Sequence, residues 1–307
     1  MKKISIAIPT YNREKYLNDC LVSIFNQTEK DIEILVFDNN SNYNIENSIN
    51  KIDTEKKVKI IKSDKNLGNL GNFQRIKNYP FDSEYLIVFH DDDTMSPCYL
   101  KSALDFLEKN RDVVWLGSNI NFVKKKEKMS DFKKTNICNF EKVKTNKLDI
   151  MLLDGFNLGF SSIIYKTKIF NNSPELQTLF NKFNKWWDRP FIIEMSKQGE
   201  IAITSSKLIN YRIHTGQDSQ DNHPYEIPKE MYNLLEFYSA ELEKVGFKKP
   251  NKYMTDQSII VATNFAKNIK QLINLLDGLK DKKWFDYKKI SFRGFYYLIK
   301  FVIKTIQ

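Results

Sequence analysis

The chain has 307 residues, 41% apolar and 28% charged, with no long polar tract, a balance that supports a packed core and argues against intrinsic disorder. Its formal charge of +10 points to an anionic partner: nucleic acid, an anionic bilayer or phosphorylated substrates. Three scattered cysteines, Cys20, Cys98 and Cys138, make no Cys-x-x-Cys pair, which argues against a zinc knuckle or a redox pair and fits a reducing compartment.

In chain order, Ile4-Ser5-Ile6-Ala7-Ile8 reads as a buried strand broken by Pro9-Thr10-Tyr11-Asn12. This run is too short for a signal-peptide core, and no apolar run approaches the ~20 residues that span a bilayer. The expected location is the cytoplasm, free or peripheral on the inner face of the plasma membrane. Asn12 is placed to cap a helix whose apolar positions, Leu17, Cys20, Leu21, Ile24 and Phe25, share one face. Ile32 to Phe37 is a second strand, ending at the turn-rich Asp38-Asn39-Asn40-Ser41-Asn42, and Val58 to Ile61 is a third. A short helix with Phe73 and Ile76 follows Asn66-Leu67-Gly68-Asn69-Leu70-Gly71-Asn72. Tyr85 to Phe89 is the next strand. Ser96 and Pro97 then start a helix that buries Leu100, Ala103, Leu104 and Leu107. Val113 to Gly117 is another strand, and residues 124–134 form a basic loop. Gly159 to Tyr165, Ile201 to Thr204 and Leu208 to Ile213 also read as strands, with a helix after Asp188-Arg189-Pro190; from Pro224 onward the pattern is mostly helical. The alternation predicts an α/β fold with a mostly parallel central sheet and helices on both faces.

His90-Asp91-Asp92-Asp93 directly follows the strand that ends at Phe89. Three adjacent carboxylates repel one another unless a cation holds them. The C-terminal edge of an open α/β sheet is also where ligands bind. A hard divalent cation with oxygen ligands, bridging to a diphosphate, gives the cluster a task. The ends of the first, second and fourth strands are expected to meet there, bringing Thr10, Tyr11, Asp38, Asp91 and Asp92 together.

Ile8-Pro9-Thr10-Tyr11-Asn12, the strand ending in Asp38, Asn66-Leu67-Gly68, the acidic run with Pro97, Asp188 and Tyr211-Arg212-Ile213-His214 occur in one order. That order resembles the family 2 glycosyltransferases over about residues 1–220. The resemblance implies a Rossmann-like GT-A fold and an inverting, metal-dependent transfer from a nucleotide-diphosphate sugar, with a UDP-sugar favoured. It divides the chain into a catalytic domain, 1–222, and a C-terminal helical extension, 223–307.

Carried over residue by residue, the resemblance implies that Pro9, Thr10 and Tyr11 line the base pocket and that Asp38 hydrogen-bonds the uracil or nucleoside. A carboxylate there rejects bases that lack matching N–H donors; Asp38 as a turn-initiating residue is the competing reading. Asn66, Gly68 and Asn72 match a segment beside the nucleotide. Asn72-Phe73-Gln74 stands where the family often has Ala-Arg-Asn, so a base contact from Phe73 or Gln74 is not expected, and Arg75 is either a substitute or a surface charge. His90 stands where the commonest Asp-x-Asp-Asp pattern has its first acid. Asp91 then faces the ribose, while Asp92, Asp93 and His214 are the metal candidates, with Mn²⁺ or Mg²⁺ suited to the site. Arg212 is a phosphate candidate. Asp188 matches the general base. Trp187 is read equally as an acceptor-stacking ring or core, and Trp186 as core.

Within the tail, Phe292, Phe295, Tyr296, Ile299, Val302, Ile303 and Ile306 share one helical face at about 100° per residue, while Arg293, Lys300 and Lys304 form a stripe. Residues 284–307 therefore read as a peripheral contact with an anionic membrane, as a dimer interface or as a helix packed on the catalytic domain. The leading expectation is transfer of a hexose or N-acetylhexosamine to a bacterial surface glycan, free or lipid-linked. A sugar-phosphate nucleotidyltransferase is disfavoured because no Gly- and Arg/Lys-rich phosphate loop lies near the first strand. A nucleic-acid-binding module is disfavoured because phosphate backbones avoid carboxylates and no recognition signature is present.

Overall fold

A computed structural model describes residues 2–53, 55, 57–123, 132, 139–143, 158–214, 229–246, 252–266, 268–281 and 283–306. The described residues form two compact units. The first comprises those within Met1–Lys144, Asn157–Gln177 and Glu194–Gln217; the second comprises Thr178–Ile193 and the described residues from 229 onward.

The first unit is built on a nine-stranded sheet: β1 (Ile4–Thr10), β2 (Ile32–Asp38), β3 (Val58–Lys62), β4 (Tyr85–Val88), β5 (Thr94–Met95), β6 (Val113–Val123), β7 (Glu141–Val143), β8 (Leu158–Lys166) and β9 (Glu200–Arg212). Their order is β3-β2-β1-β4-β8-β6-β9-β5, with β7 also on β9. The β3-β2-β1-β4 run is parallel, β8 is antiparallel to both β4 and β6, and β9 is parallel to β6. Six strands therefore point one way and the sheet is mostly parallel, as expected; β8, β5 and β7 run against it.

Side chains alternate between the faces of the sheet. On one face, Ile4, Ile6 and Ile8 of β1, Ile34 and Val36 of β2 and Ile87 of β4 pack in one cluster. That cluster includes Leu17, Cys20, Leu21 and Ile24 of helix α1 (Glu14–Phe25), Ile45 and Ile49 of α2 (Ile45–Asn50), and Leu100, Ala103, Leu104 and Leu107 of α4 (Tyr99–Lys109). Helix α3 (Gly68–Lys77) brings Phe73 and Ile76 to the core beside β1 and β2. Each fully buried Leu or Ile contributes about 1.5–3 kcal/mol through apolar burial.

Three local expectations are corrected. Asn12 does not cap α1: the helix starts at Glu14, and Asn12 adopts a left-handed φ of 55°. Its Oδ1 accepts the Asn42 N–H at 2.7 Å and its own N–H donates to Ser41 Oγ at 3.0 Å, so Asn12 ties the end of β1 to the loop after β2. Pro97 lies in the turn before α4, which begins at Tyr99. The two strands read between 201 and 213 are one, β9. A register shift pairs Ser118 with Thr204 and then Asn119 with Lys207, so a bulge absorbs the polar Ser205-Ser206.

The second unit is helical over its described residues and includes Lys229–Lys244, Lys252–Phe265, Ile269–Asp281 and Phe292–Ile306. Phe183 meets Phe237 there with ring centroids 5.6 Å apart. No helix among the described residues is long and apolar enough to cross a membrane.

Candidate active site

The parallel register sets Thr10 at the tip of β1 opposite Asp38 at the tip of β2. β4 runs beside β1, and Phe89 N–H still reaches the Ala7 carbonyl at 2.9 Å, so the acidic turn emerges next to Thr10. Thr10 Oγ1 donates to Asp91 Oδ2 at 2.7 Å. The Arg13 guanidinium lies 3.1 Å from both Asp91 Oδ1 and Asp92 Oδ2. On the other side β5, immediately after Asp93, pairs antiparallel with β9. That pairing delivers Arg212 and His214. Arg212 N–H donates to Asp93 Oδ1 at 3.2 Å, its Nε to the Asp92 carbonyl at 2.9 Å and its guanidinium to Asp19 Oδ2 at 2.8 Å. His214 Nε2 lies 3.0 Å from Asp92 Oδ2. Tyr16 supports both residues: its ring centroid is 4.7 Å from that of His214 and 4.5 Å from the Arg212 guanidinium. Asp93 also accepts the Ser161 hydroxyl at 2.7 Å.

All three aspartates are buried. Burial, then the charge of Asp92, pushes Asp91 up to about 6, against the pull of Arg13 and Thr10. Burial and Asp92 push Asp93 well above the ordinary carboxylate range. Burial also opposes ionisation of Asp92, but the His214 hydrogen bond and the charges of His90 and Arg13 outweigh it and hold this group below its ordinary value. The turn therefore carries one firmly ionised carboxylate flanked by two that resist ionisation, the pattern of like charges that want a cation.

His90, Asp92 and Asp93 each offer a ligand atom, all within 4.8 Å of one another. Carboxylate oxygens with an imidazole nitrogen suit Mn²⁺ and are compatible with Mg²⁺. The donor set therefore fits the cation that the acidic run implies.

The nucleoside-side candidates lie around Asp38. Its Oδ1 accepts the Ser41 N–H at 3.0 Å, making the turn that the competing reading describes, and no described residue donates to its second oxygen. Pro9 lies in β1, and Tyr11 is exposed just beyond it. Asn39 ties the segment after β3 to this edge: its Nδ2 donates to Asn66 Oδ1 at 2.8 Å and to the Gly68 carbonyl at 3.1 Å. Gly68 has φ +69°, a left-handed conformation that favours glycine, where α3 begins. Asn72 is buried and donates to the Phe37 carbonyl at 2.9 Å. Arg75 is no surface charge: it donates to the Asp38 and Ile61 carbonyls and to Asn72 Oδ1, bracing β2 to β3 and α3.

Asp188 lies in the second unit, at the start of helix Asp188–Ser196, where its carboxylate accepts the Arg189 N–H at 2.9 Å. Trp187 is buried, edge-on to Phe191 at 5.7 Å, as a core ring would be.

Residues 5–167 match the sequence profile described as glycosyl transferase family 2, more than half of the chain. The chain belongs to glycosyl transferase family 2. This glycosyltransferase is 27% identical over 222 residues to an uncharacterized glycosyltransferase of Haemophilus influenzae, spanning 70% of this chain and 67% of that one. It is 25% identical over 293 residues to an uncharacterized glycosyltransferase of Methanocaldococcus jannaschii, spanning 91% and 94%. Among solved structures, TarS 1–349 of S. aureus in complex with UDP-GlcNAc matches with a TM-score of 0.62 at 15% identity, over 99% of this chain and 89% of that one. At that identity the likeness shows the GT-A fold. Family membership decides for glycosyl transfer over the nucleotidyltransferase and nucleic-acid-binding readings.

The sequence reading gave no role to Arg13, Ser161 or Asn39, and took His90 only as the residue standing in place of the first acid. Tyr43 is a further case: burial, then the charges of Asp38 and Asp91, oppose ionisation of its hydroxyl.

Proposed function

We propose that this enzyme is an inverting glycosyltransferase that moves a hexose or N-acetylhexosamine from a UDP-sugar to a hydroxyl of a bacterial surface glycan, free or lipid-linked. The observation that carries the reading is the convergence of Thr10, Asp38 and Asp91 at adjacent strand tips. The similar structure of S. aureus TarS 1–349, a complex with UDP-GlcNAc, supports the choice of donor.

In this reading the base lies against Pro9, Thr10 and Tyr11, and the free oxygen of Asp38 takes the N–H of the uracil. Asn66, Gly68 and Asn72 hold the wall beside it, and Asp91 faces the ribose. Asp92 and Asp93, with His214 and His90 as imidazole candidates, would hold Mn²⁺ or Mg²⁺, which when bound supplies positive charge to the leaving diphosphate. Arg212 adds a cation at the same edge. Asp188 takes the acceptor hydroxyl's proton as that oxygen forms its bond to the sugar C1 and the C1–O bond to the diphosphate breaks from the opposite face. A carboxylate of ordinary strength suffices, because the hydroxyl becomes acidic only late in bond formation. Residues 1–222 act as the catalytic domain and 223–307 as a helical extension, on the cytoplasmic side of the plasma membrane.

The test is a thermal-shift screen of nucleotide sugars with and without Mn²⁺, followed by measurement of UDP release. Stabilisation by UDP-sugars that requires the metal, and that Asp92→Ala abolishes, is expected. Equal stabilisation of wild type and Asp92→Ala would overturn the reading.

A further inference from the structure

Helix Phe292–Ile306 carries two apolar faces. One is packed within its own unit: Phe301 is buried, and Gly294 sits so close to Asp256 and Ile259 that a side chain there would collide with them. The Asp256 carboxylate accepts the Ser291 N–H at 3.1 Å and the Ser291 hydroxyl, which anchors the helix start.

The other face is open. Phe292, Phe295, Tyr296, Ile299, Val302 and Ile303 are 36–91% exposed. They are six of the thirteen exposed large hydrophobic side chains among the described residues, and helical spacing gathers them within about one third of the circumference. Scattered surface apolar groups need no explanation, but a contiguous patch marks an interaction surface.

The charge around the patch has one sign. The helix holds Arg293, Lys300 and Lys304 and no acidic residue, and residues 284–307 hold five cations against one carboxylate, Asp286. That carboxylate accepts the Lys288 N–H at 2.9 Å. Lys288, Lys289 and Lys300 are exposed. The helix is about 22 Å long, short of the ~30 Å hydrocarbon core, so it suits lying along an interface rather than crossing it.

We propose that this face seats the protein on an anionic bilayer surface, with the aromatic and aliphatic side chains entering the headgroup boundary and the lysines meeting lipid phosphates. A second copy of the chain fits less well, because self-pairing would bring two basic stripes together.

The test is sedimentation of the full chain with vesicles of phosphatidylcholine alone or mixed equally with phosphatidylglycerol. Wild type is expected to sediment with the anionic vesicles, to be released by high salt and to bind weakly to the neutral ones. The triple variant Phe295→Ser, Ile299→Ser, Ile303→Ser should bind at least about tenfold more weakly, and Lys300→Gln about fivefold more weakly on anionic vesicles only. Retained UDP-sugar thermal shifts in these variants would show that the fold and donor site are intact, which separates this test from that of the donor reading. Failure of wild type to sediment, or equal sedimentation of wild type and triple variant, would overturn the proposal. So would a dimer that the triple variant converts to monomer without any vesicle binding, which would assign the face to a second copy.

Discussion

The hydroxyl of Thr10 donates to the carboxylate of Asp91 across 2.7 Å, joining residues 81 positions apart at the tips of two neighbouring parallel strands. The bond is buried, and it opposes the upward push on Asp91. Thr10→Val keeps the shape and removes the donor. It should destabilise the protein by about 1–3 kcal/mol, because a buried acceptor loses its partner, and it should weaken the UDP-sugar thermal shift. Thr10→Ser should retain most of both. Calorimetry of the two variants at neutral pH checks this; equal melting temperatures for valine and wild type would contradict it.

The aspartates titrate in opposite directions. Asp91, at about 6 in the fold, and Asp93, raised further, bind protons more tightly folded than unfolded. Their contribution is full below the ordinary carboxylate value and is lost as pH rises through the folded values. Asp92 is lowered, so its contribution is present above the ordinary value and is lost as pH falls through the folded one. A divalent cation competes with the protons on Asp93 and relieves repulsion once the cluster is ionised. Mn²⁺ should therefore raise the melting temperature more at about pH 7.5 than at about pH 5. A shift independent of pH would argue that the cation binds elsewhere.

Arg13 lies where a cation is needed, shared between Asp91 and Asp92. Arg13→Gln removes that charge. Without metal, the variant should melt lower at neutral pH, because two buried carboxylates lose their counter-ion. Its affinity for Mn²⁺ alone should rise several-fold, since a competing positive charge is gone. Isothermal titration measures the second effect, and weaker Mn²⁺ binding by the variant would show that Arg13 supports the ion rather than competing with it.

Asp188→Asn should leave UDP-sugar binding unchanged and lower turnover by about 10²–10⁴-fold, the usual contribution of a general base. Single-turnover assays beside donor-binding shifts separate the two effects. Turnover near the wild-type rate would remove Asp188 from the mechanism.

Much of the first unit was legible from residue order. Alternating apolar runs placed seven of the sheet's strands, although β6 runs on to Val123, six residues past the expected end at Gly117, and the turn residues after them marked where the sheet edge lies. Asp38 and Asp91 to Asp93 could be located because each directly follows an apolar run, and strand ends are local features. The cap assigned to Asn12 failed because the local signal for a helix start competed with a partner, Asn42, that only the fold brings near.

By itself, then, the sequence determined the alternation of strands and helices, the acidic turn at a strand tip and the family to which the chain belongs, since periodicity and motif order are written along the chain. The tertiary structure alone decided that β8 enters against β4, that the two-residue β5 docks on β9, and that Arg13 and Ser161 bond the acidic turn; for Arg212 and His214, which the family resemblance already implied at this site, it supplied the contacts. Those contacts join residues 68 to 122 positions apart and depend on strand register and on burial that forces each carboxylate to find a partner. No local pattern encodes them.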